Sequence, residues 1–475
     1  MIFSSYRFIF LFFPIAFAGY HLLRRTGRGA AAEVKLWLAA ASLVFYGVGQ
    51  PDFVLMFLLT VLLNYALLWA MDRWTGTWVR RGLLAAAAVW DLGLLVYYKY
   101  INFFFENINR ALGTSLPMLS VVLPIGISFF TFQILACTVA IYRGERERPG
   151  LLDYTVFVTF FPQLIVGPVV RHEELLPQVE GDALLSFDRT EICRGVMLFS
   201  AGCAKKVLLA NSLIDHAAAF YGGDVTAATV TESWVGVLSY VFAYYFDFSG
   251  YIDMARGLGH LFGVSLPYNF DSPYRARDFA DFWRRWNITI SRFFQESVFQ
   301  NLFHFGDGLL KLFLATLATF VLSGLWHGAG WHYIAWGLAN GLLVCLANVR
   351  ALRDSKPLPA WLGVALTFFA GALIRVLFDS GNMGQALAVY RRLFAFGEWV
   401  HVRTRLNEAL VFIQGHRLLC GKLLAAALLC FCAPNTNRIS EKSVFTARDA
   451  VFSGILLSLS LFFMTRVSTF LYFNF

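Results

Sequence analysis

A chain of 475 residues that is 58% hydrophobic and 17% aromatic, with only 15% charged side chains, exceeds the apolar share of ~45–50% usual for soluble globular proteins. It has no room for a large soluble domain, and its long apolar runs define an all-α, polytopic integral membrane protein, read as one membrane-embedded domain over residues 1–475. The net charge of +9 would suit nucleic acid. The basic residues, however, fall mostly in short loops between apolar runs, the positive-inside pattern of a chain whose partner is membrane lipid and not nucleic acid.

The first apolar run, Ser5–Leu23, is followed by Arg24, Arg25 and Arg28. A cleaved secretory signal has its basic residues before the apolar core, so this run reads as an uncleaved first span with its N-terminus outside. About twenty apolar residues cross the hydrocarbon core as a helix. Further candidate spans are Leu36–Val48, Phe53–Ala70, Gly82–Tyr98, Val121–Ile141 and Leu151–Val170. Beyond them come Ile192–Leu209, Trp234–Phe248, Leu309–Leu325, Trp331–Ala347, Trp361–Phe378, Leu418–Phe431 and Val451–Met464. The expectation is about eleven to thirteen spanning or re-entrant helices, the shorter ones tilted, re-entrant or interfacial. This order puts Arg24–Arg28, Arg73–Arg81 and Arg143–Arg148 in the cytoplasm and Gln50–Asp52 outside; Lys99–Arg110 is the misfit. No fixed-period repeat is present, which disfavours a duplicated transporter.

Several stretches interrupt the apolar pattern. In FFPQLIVGPVVR (Phe160–Arg171), Pro162, Gly167 and Pro168 break the span and leave Gln163 at depth. Broken backbone is tolerated there only where protein or a cavity satisfies it. In YYFDFSGYIDMARG, Asp247 and Asp253 stand at the end of an apolar run, with Arg256 or Arg275 as expected partners; a structural ion pair and a direct role are both open. Residues 268–292, YNFDSPYRARDFADFWRRWNITISR, place Phe279, Phe282, Trp283, Trp286 and Ile290 at helical spacing. Arg277, Asp281, Arg284, Arg285 and Arg292 largely take the other positions. The pattern predicts an amphipathic helix at the interface or re-entering the protein, with a solvated cytoplasmic face as the alternative.

Residues 322–341, LSGLWHGAGWHYIAWGLANG, put His327 in a hydrophobic helical region among small residues. A buried imidazole is held neutral and can serve as a base; the plainer alternative is a hydrogen-bonded structural histidine. The seven cysteines show no metal-ligand spacing, and His327 and His332 are five apart with no H-E-x-x-H pattern. No metal and no tightly bound cofactor are therefore expected. The nucleophile elbow and the phosphate-binding loop are both missing. What remains is one buried histidine with polar company, a combination suited to general-base acyl transfer.

Read together, MIFSSYRFIFLFFP, VLPIGISFFTFQ (Val122–Gln133), FFPQLIVGPVVR, CAKKVLLAN (Cys203–Asn211), YFDFSGYIDMARGLG, FWRRWNITIS (Phe282–Ser291), SGLWHGA, PNT (Pro434–Thr436) and FLYFNF resemble, in order, the membrane-bound O-acyltransferases, and within them the alginate O-acetylation type. The resemblance implies a helical membrane fold with an internal tunnel joining the two faces, and makes His327 the catalytic histidine. It further implies acetyl-CoA as cytoplasmic donor substrate and an exported polysaccharide as acceptor. Extracytoplasmic (periplasmic) acetyltransferase or carrier proteins would be partners, and the location would be the bacterial inner membrane. Asn287 would position His327 or the thioester.

Arg275, Arg277, Arg284, Arg285, Lys205 and Lys206 would form a basic rim for the phosphates of coenzyme A, although positive-inside topology explains many of these charges as well. Trp326 and Gln163 would contact substrate; Asp247, Asp253 and Asn340 would support the structure. The chain departs from the family pattern at Asn287 and Asn340, where bacterial relatives tend to carry histidine. It departs again after FWRRW, where RFFQESVFQNLFHFGDG replaces a Tyr-rich, Gly-Gly-Asn-Arg segment. Peptidoglycan acetylation, teichoic acid D-alanylation, a transporter without acyl transfer and an inactive scaffold remain as alternatives.

Overall fold

Every apolar run named above contains helix, and among the described residues no strand forms. The computed structural model describes residues 1–475 except 28, 187, 305, 354–355, 357, 396–401, 465–469 and 472–475, and omits the side chains of 402–404. Arg28 and the last four residues of FLYFNF therefore lie outside the described residues. Among the described residues, five helices are long and apolar enough to cross a membrane: Ala30–Gly49, Pro51–Arg73, Leu309–His327, Trp331–Leu352 and Ala360–Asp379. Arg405–Gly415 and Arg417–Phe431 pass only as a pair bent by 95°, and Phe8–Leu23 and Ile127–Arg143 are shorter apolar helices. The expected run Val121–Ile141 begins late: Val121–Gly126 is not helical, and Gly126, at φ +79°, turns the chain into the helix.

Two compact units divide the chain. The first comprises Met1–Cys203, Tyr251–Tyr268 and Ile439–Thr469, the second Ala204–Gly250, Asn269–Arg438 and Phe470–Phe475.

In the first unit the expected break in Leu151–Val170 is present. The helix Leu151–Thr159 stops at Phe160, and one short turn, Phe161–Leu164, follows. The freed backbone is satisfied from within the protein, as hydrocarbon requires. The Phe161 N–H donates to the Ser42 hydroxyl at 3.0 Å, and the Gln133 and Gln163 amides donate to the Phe157 carbonyl at 2.9 and 2.8 Å.

The second unit is built on the Leu309–His327 and Trp331–Leu352 helices (hereafter the His327 and Gly337 helices), joined by three residues. Their backbones nearly touch. A Cβ added at Gly324 would lie 2.3 Å from the Tyr333 carbonyl oxygen, and one at Gly337 2.3 Å from that of Phe320. Small residues are what allow membrane helices this approach. The helix Val230–Leu261 is also longer than its apolar run, so Asp247 and Asp253 sit inside a helix, not at its end.

Residues 268–292 do not form one amphipathic helix. They form a turn at Pro273–Arg275 and two short helices, Phe279–Arg285 and Ile288–Phe294, split at Asn287. Asp278 caps the first by accepting the Asp281 N–H at 2.7 Å.

Gly337→Ala should lose about 1–3 kcal/mol through overpacking against immovable backbone. Thermal unfolding in detergent checks this, and an unchanged midpoint would show that the helices do not pack this closely.

Candidate active site

The break at Asn287 is made by strand-like pairing. Asn269–Asp271 lies antiparallel to Arg285–Ile288: the Asp271 N–H donates to the Arg285 carbonyl at 2.9 Å, the Ile288 N–H donates to the Asn269 carbonyl at 3.0 Å, and Phe270 and Trp286 form a β-bridge. The Asn269 side chain accepts the Thr289 N–H at 3.0 Å. The Asn435 and Asn437 amides donate to the Phe270 carbonyl at 3.2 and 2.8 Å, so the PNT stretch and the residue after it brace this pairing. Held on both sides, Asn287 takes φ +45°, ψ +53°. Among the described residues only Ser272 shares a positive φ without being glycine. Asparagine tolerates this left-handed region better than most residues, and such strain concentrates at functional sites. Asn287 is 2% exposed, and its Oδ1 accepts no hydrogen bond among the described residues.

His327 is the last residue of its helix and is buried. Aromatic rings enclose it: Trp326 at 4.6 Å, Trp336 at 5.0 Å and Phe378 at 5.0 Å between ring centroids, each roughly edge to face. Asn340 is buried and bonded through both ends of its carboxamide. Its Nδ2 donates to the Trp336 carbonyl at 2.8 Å, and its Oδ1 accepts the Trp283 indole N–H at 3.3 Å, fixing two of the surrounding tryptophans.

Asn287 and His327 line one cavity of about 470 Å³, together with Thr316, Thr319, Ser323, Arg284 and Arg292. Thr316 and His327 are eleven residues apart on one helix, so at ~1.5 Å per residue the cavity follows that helix for about 16 Å. Arg284 is exposed, with 68% of its side chain accessible. The arrangement is an apolar passage with guanidinium groups along one part and an imidazole and a carboxamide in its wall.

The other expected rim residues do not join it. Arg275 donates to the Cys430 carbonyl at 3.2 Å and to that of Ala433, closing the end of the Arg417–Phe431 helix. Arg285 is held by Asp281 at 2.9 Å, and Arg277 lines a different cavity. Lys205 donates to the Thr436 hydroxyl at 3.1 Å. Lys206 is fully buried against Asp247 at 2.5 Å, so it is not part of an exposed phosphate-binding rim. The partner of Asp247 is thus Lys206, with the Leu471 N–H donating at 2.8 Å, and neither Arg256 nor Arg275. Asp253 belongs to the first unit, as the electrostatic neighbour of Arg256; the guanidinium of Arg256 donates to Ser440 at 2.6 Å. Gln163 is also in the first unit, bound to Phe157. Trp326 stands beside His327. Among the described residues no three His, Cys, Asp or Glu side chains gather as a metal site.

One element escaped the sequence reading. Arg375 and Asp379, one turn apart in the Ala360–Asp379 helix, form a buried ion pair at 2.8 Å. The guanidinium lies 3.5 Å from the Tyr244 ring centroid and 4.4 Å from that of Phe378, the ring that walls His327. An ionisable pair inside an apolar span is itself a functional signal, and R-x-x-x-D at helical spacing was there to be read.

A multi-pass α-helical membrane protein with a buried imidazole and carboxamide in one cavity defines the class. Residues 40–354 match the model of MBOAT, the membrane-bound O-acyltransferase family, and the chain belongs to that family: it is an O-acyltransferase. It is 31% identical to a peptidoglycan O-acetyltransferase of Helicobacter pylori, over 100% of this chain and 98% of that protein. It is 33% identical to the probable alginate O-acetylase AlgI of Pseudomonas aeruginosa, over 84% of this chain and 76% of the relative. A teichoic acid D-alanyltransferase of Streptococcus thermophilus is 26% identical over 54% of this chain and 68% of its own length.

Removing one partner of a buried ion pair typically costs ~3–5 kcal/mol, while replacing both with apolar groups can be neutral. Lys206→Met should therefore sharply lower the unfolding temperature in detergent, and Lys206→Met with Asp247→Leu should restore most of it. A stable single variant with weakened donor binding would instead return Lys206 to the rim.

Proposed function

We propose that the protein transfers an acetyl group from acetyl-CoA, supplied on the cytoplasmic side of the bacterial inner membrane, to a hydroxyl of an exported polysaccharide, with periplasmic acetyltransferase or carrier proteins assisting. The observation that carries this reading is the single cavity lined by Arg284, Asn287 and His327. Guanidinium groups suit the phosphates of the donor, and the thioester arm extends along the His327 helix. His327 takes the proton from the attacking hydroxyl, whose oxygen forms the new C–O bond at the thioester carbonyl carbon. The Asn287 carboxamide donates a hydrogen bond to the carbonyl oxygen as negative charge gathers on it. The C–S bond then breaks, and the coenzyme A sulfur leaves with the proton returned by His327.

A second reading keeps this chemistry but takes peptidoglycan as the acceptor. It is favoured by the end-to-end match, 98% of its length, with the Helicobacter pylori peptidoglycan O-acetyltransferase. D-alanyl transfer is less well supported, since that relative matches only 54% of this chain. Both leading readings place a glycan hydroxyl at His327.

Purified protein given radiolabelled acetyl-CoA and glycan oligomers should form labelled ester, and His327→Ala should lower turnover by about 10²–10⁴-fold. Equal turnover in both would remove His327 from the mechanism. Asn287→Gly keeps the left-handed backbone accessible while deleting the carboxamide, and should lower turnover by about 10²–10³-fold. Near-native turnover in that variant would assign Asn287 a purely backbone role.

A further inference from the structure

A second cavity in the second unit shares no lining residue with the one at His327. It is about 380 Å³ and lies between the Gly337 helix and the Ala360–Asp379 helix. Its walls are apolar, with Leu343, Leu346, Leu366 and Ala370 among them, and Arg277 and Arg350 both line it. These arginines differ from Arg285, which Asp281 holds at 2.9 Å. Arg277 and Arg350 are exposed, and among the described residues neither forms an ion pair; Arg350 makes only a long 3.4 Å bond to the Lys356 carbonyl. The acid in the lining, Asp278, is committed as a helix cap to the Asp281 N–H. The Arg277 backbone is also seated firmly: its carbonyl oxygen would lie 2.8 Å from a Cβ at Gly363, so the Ala360–Asp379 helix holds this segment against itself.

We propose that this trough binds an anionic phospholipid, with the headgroup phosphate between Arg277 and Arg350 and an acyl chain along the leucines. The reading does not depend on which acyl group or acceptor the enzyme uses. Guanidinium groups match phosphate oxygens in geometry and charge. Basic pockets between membrane helices are where anionic headgroups bind. Of the apolar lining, Leu346 and Leu366 are 55% and 51% exposed in the protein alone, a surface that an acyl chain covers. Arg277 therefore leaves the donor site and becomes a lipid ligand.

Native mass spectrometry of the full-length protein, released from detergent with added phosphatidylglycerol or phosphatidylethanolamine, tests this. The native protein should retain phosphatidylglycerol at least tenfold better than Arg277→Gln/Arg350→Gln. It should also prefer phosphatidylglycerol to phosphatidylethanolamine. Arg81→Gln, which removes an exposed arginine in the first unit, should behave as native, and Arg277→Lys/Arg350→Lys should keep the preference for the anionic lipid. Equal retention by native and doubly substituted protein would overturn the proposal, as would equal retention of the two lipids. Displacement of phosphatidylglycerol by an equal concentration of coenzyme A would overturn it too, and would return the trough to the donor.

Discussion

The site depends on a left-handed residue that two separate stretches of chain hold in place. In a membrane protein, irregular backbone persists only where its polar groups find partners inside the protein. Here Asn269–Asp271 supplies them to Arg285–Ile288, and Asn435 and Asn437 secure Phe270 in turn. The strain at Asn287 is thus distributed over three sequence-distant segments. The same pairing sets the rings: Trp286 packs on Phe270 at 5.0 Å, while Trp283 reaches Trp336 at 5.7 Å, which itself packs on His327. The indoles and the imidazole pack in series beside the backbone that holds Asn287, so the cavity wall is formed before any ligand arrives. Such preorganisation is what makes a hydrogen-bond donor effective toward charge that develops only during reaction.

Buried charge has a related role. Lys206–Asp247 and Arg375–Asp379 are both removed from water, and pairs of this kind seldom add much net stability because desolvation offsets attraction. Their value lies in position. Arg375, held by Asp379, rests on Phe378, one wall of the histidine enclosure. Lys206 anchors Asp247 within the Val230–Leu261 helix. Neither pair lines the cavity, so what they set is the packing around it.

Much of this was legible from the chain. Apolar runs gave the helices, Pro162 and Gly167 gave the broken span, and His327 with Asn287 stood out through their company and through the family resemblance. Two kinds of information were not legible. The aromatic periodicity of Phe279, Phe282, Trp283 and Trp286 reads as a continuous helix, because pattern reports which side chains share a face and not where tertiary pairing interrupts the backbone. Only the asparagine itself, a residue suited to positive φ, marks the break. Likewise the partner of a buried charge is set by tertiary packing. Lys206 reads as a member of a basic rim because Asp247 lies far along the chain, and Arg375 reads as part of an apolar span.

The proposed mechanism requires acyl transfer to take place between Asn287 and His327. The most direct measurement is an experimental structure with a non-hydrolysable acetyl-CoA analogue bound. The carbonyl oxygen of the analogue should lie in hydrogen-bond reach of Asn287, with space beside His327 for an attacking hydroxyl at about 3–3.5 Å from the acyl carbon. An analogue seated away from both residues, with its phosphates at Arg277 and Arg350, would contradict it.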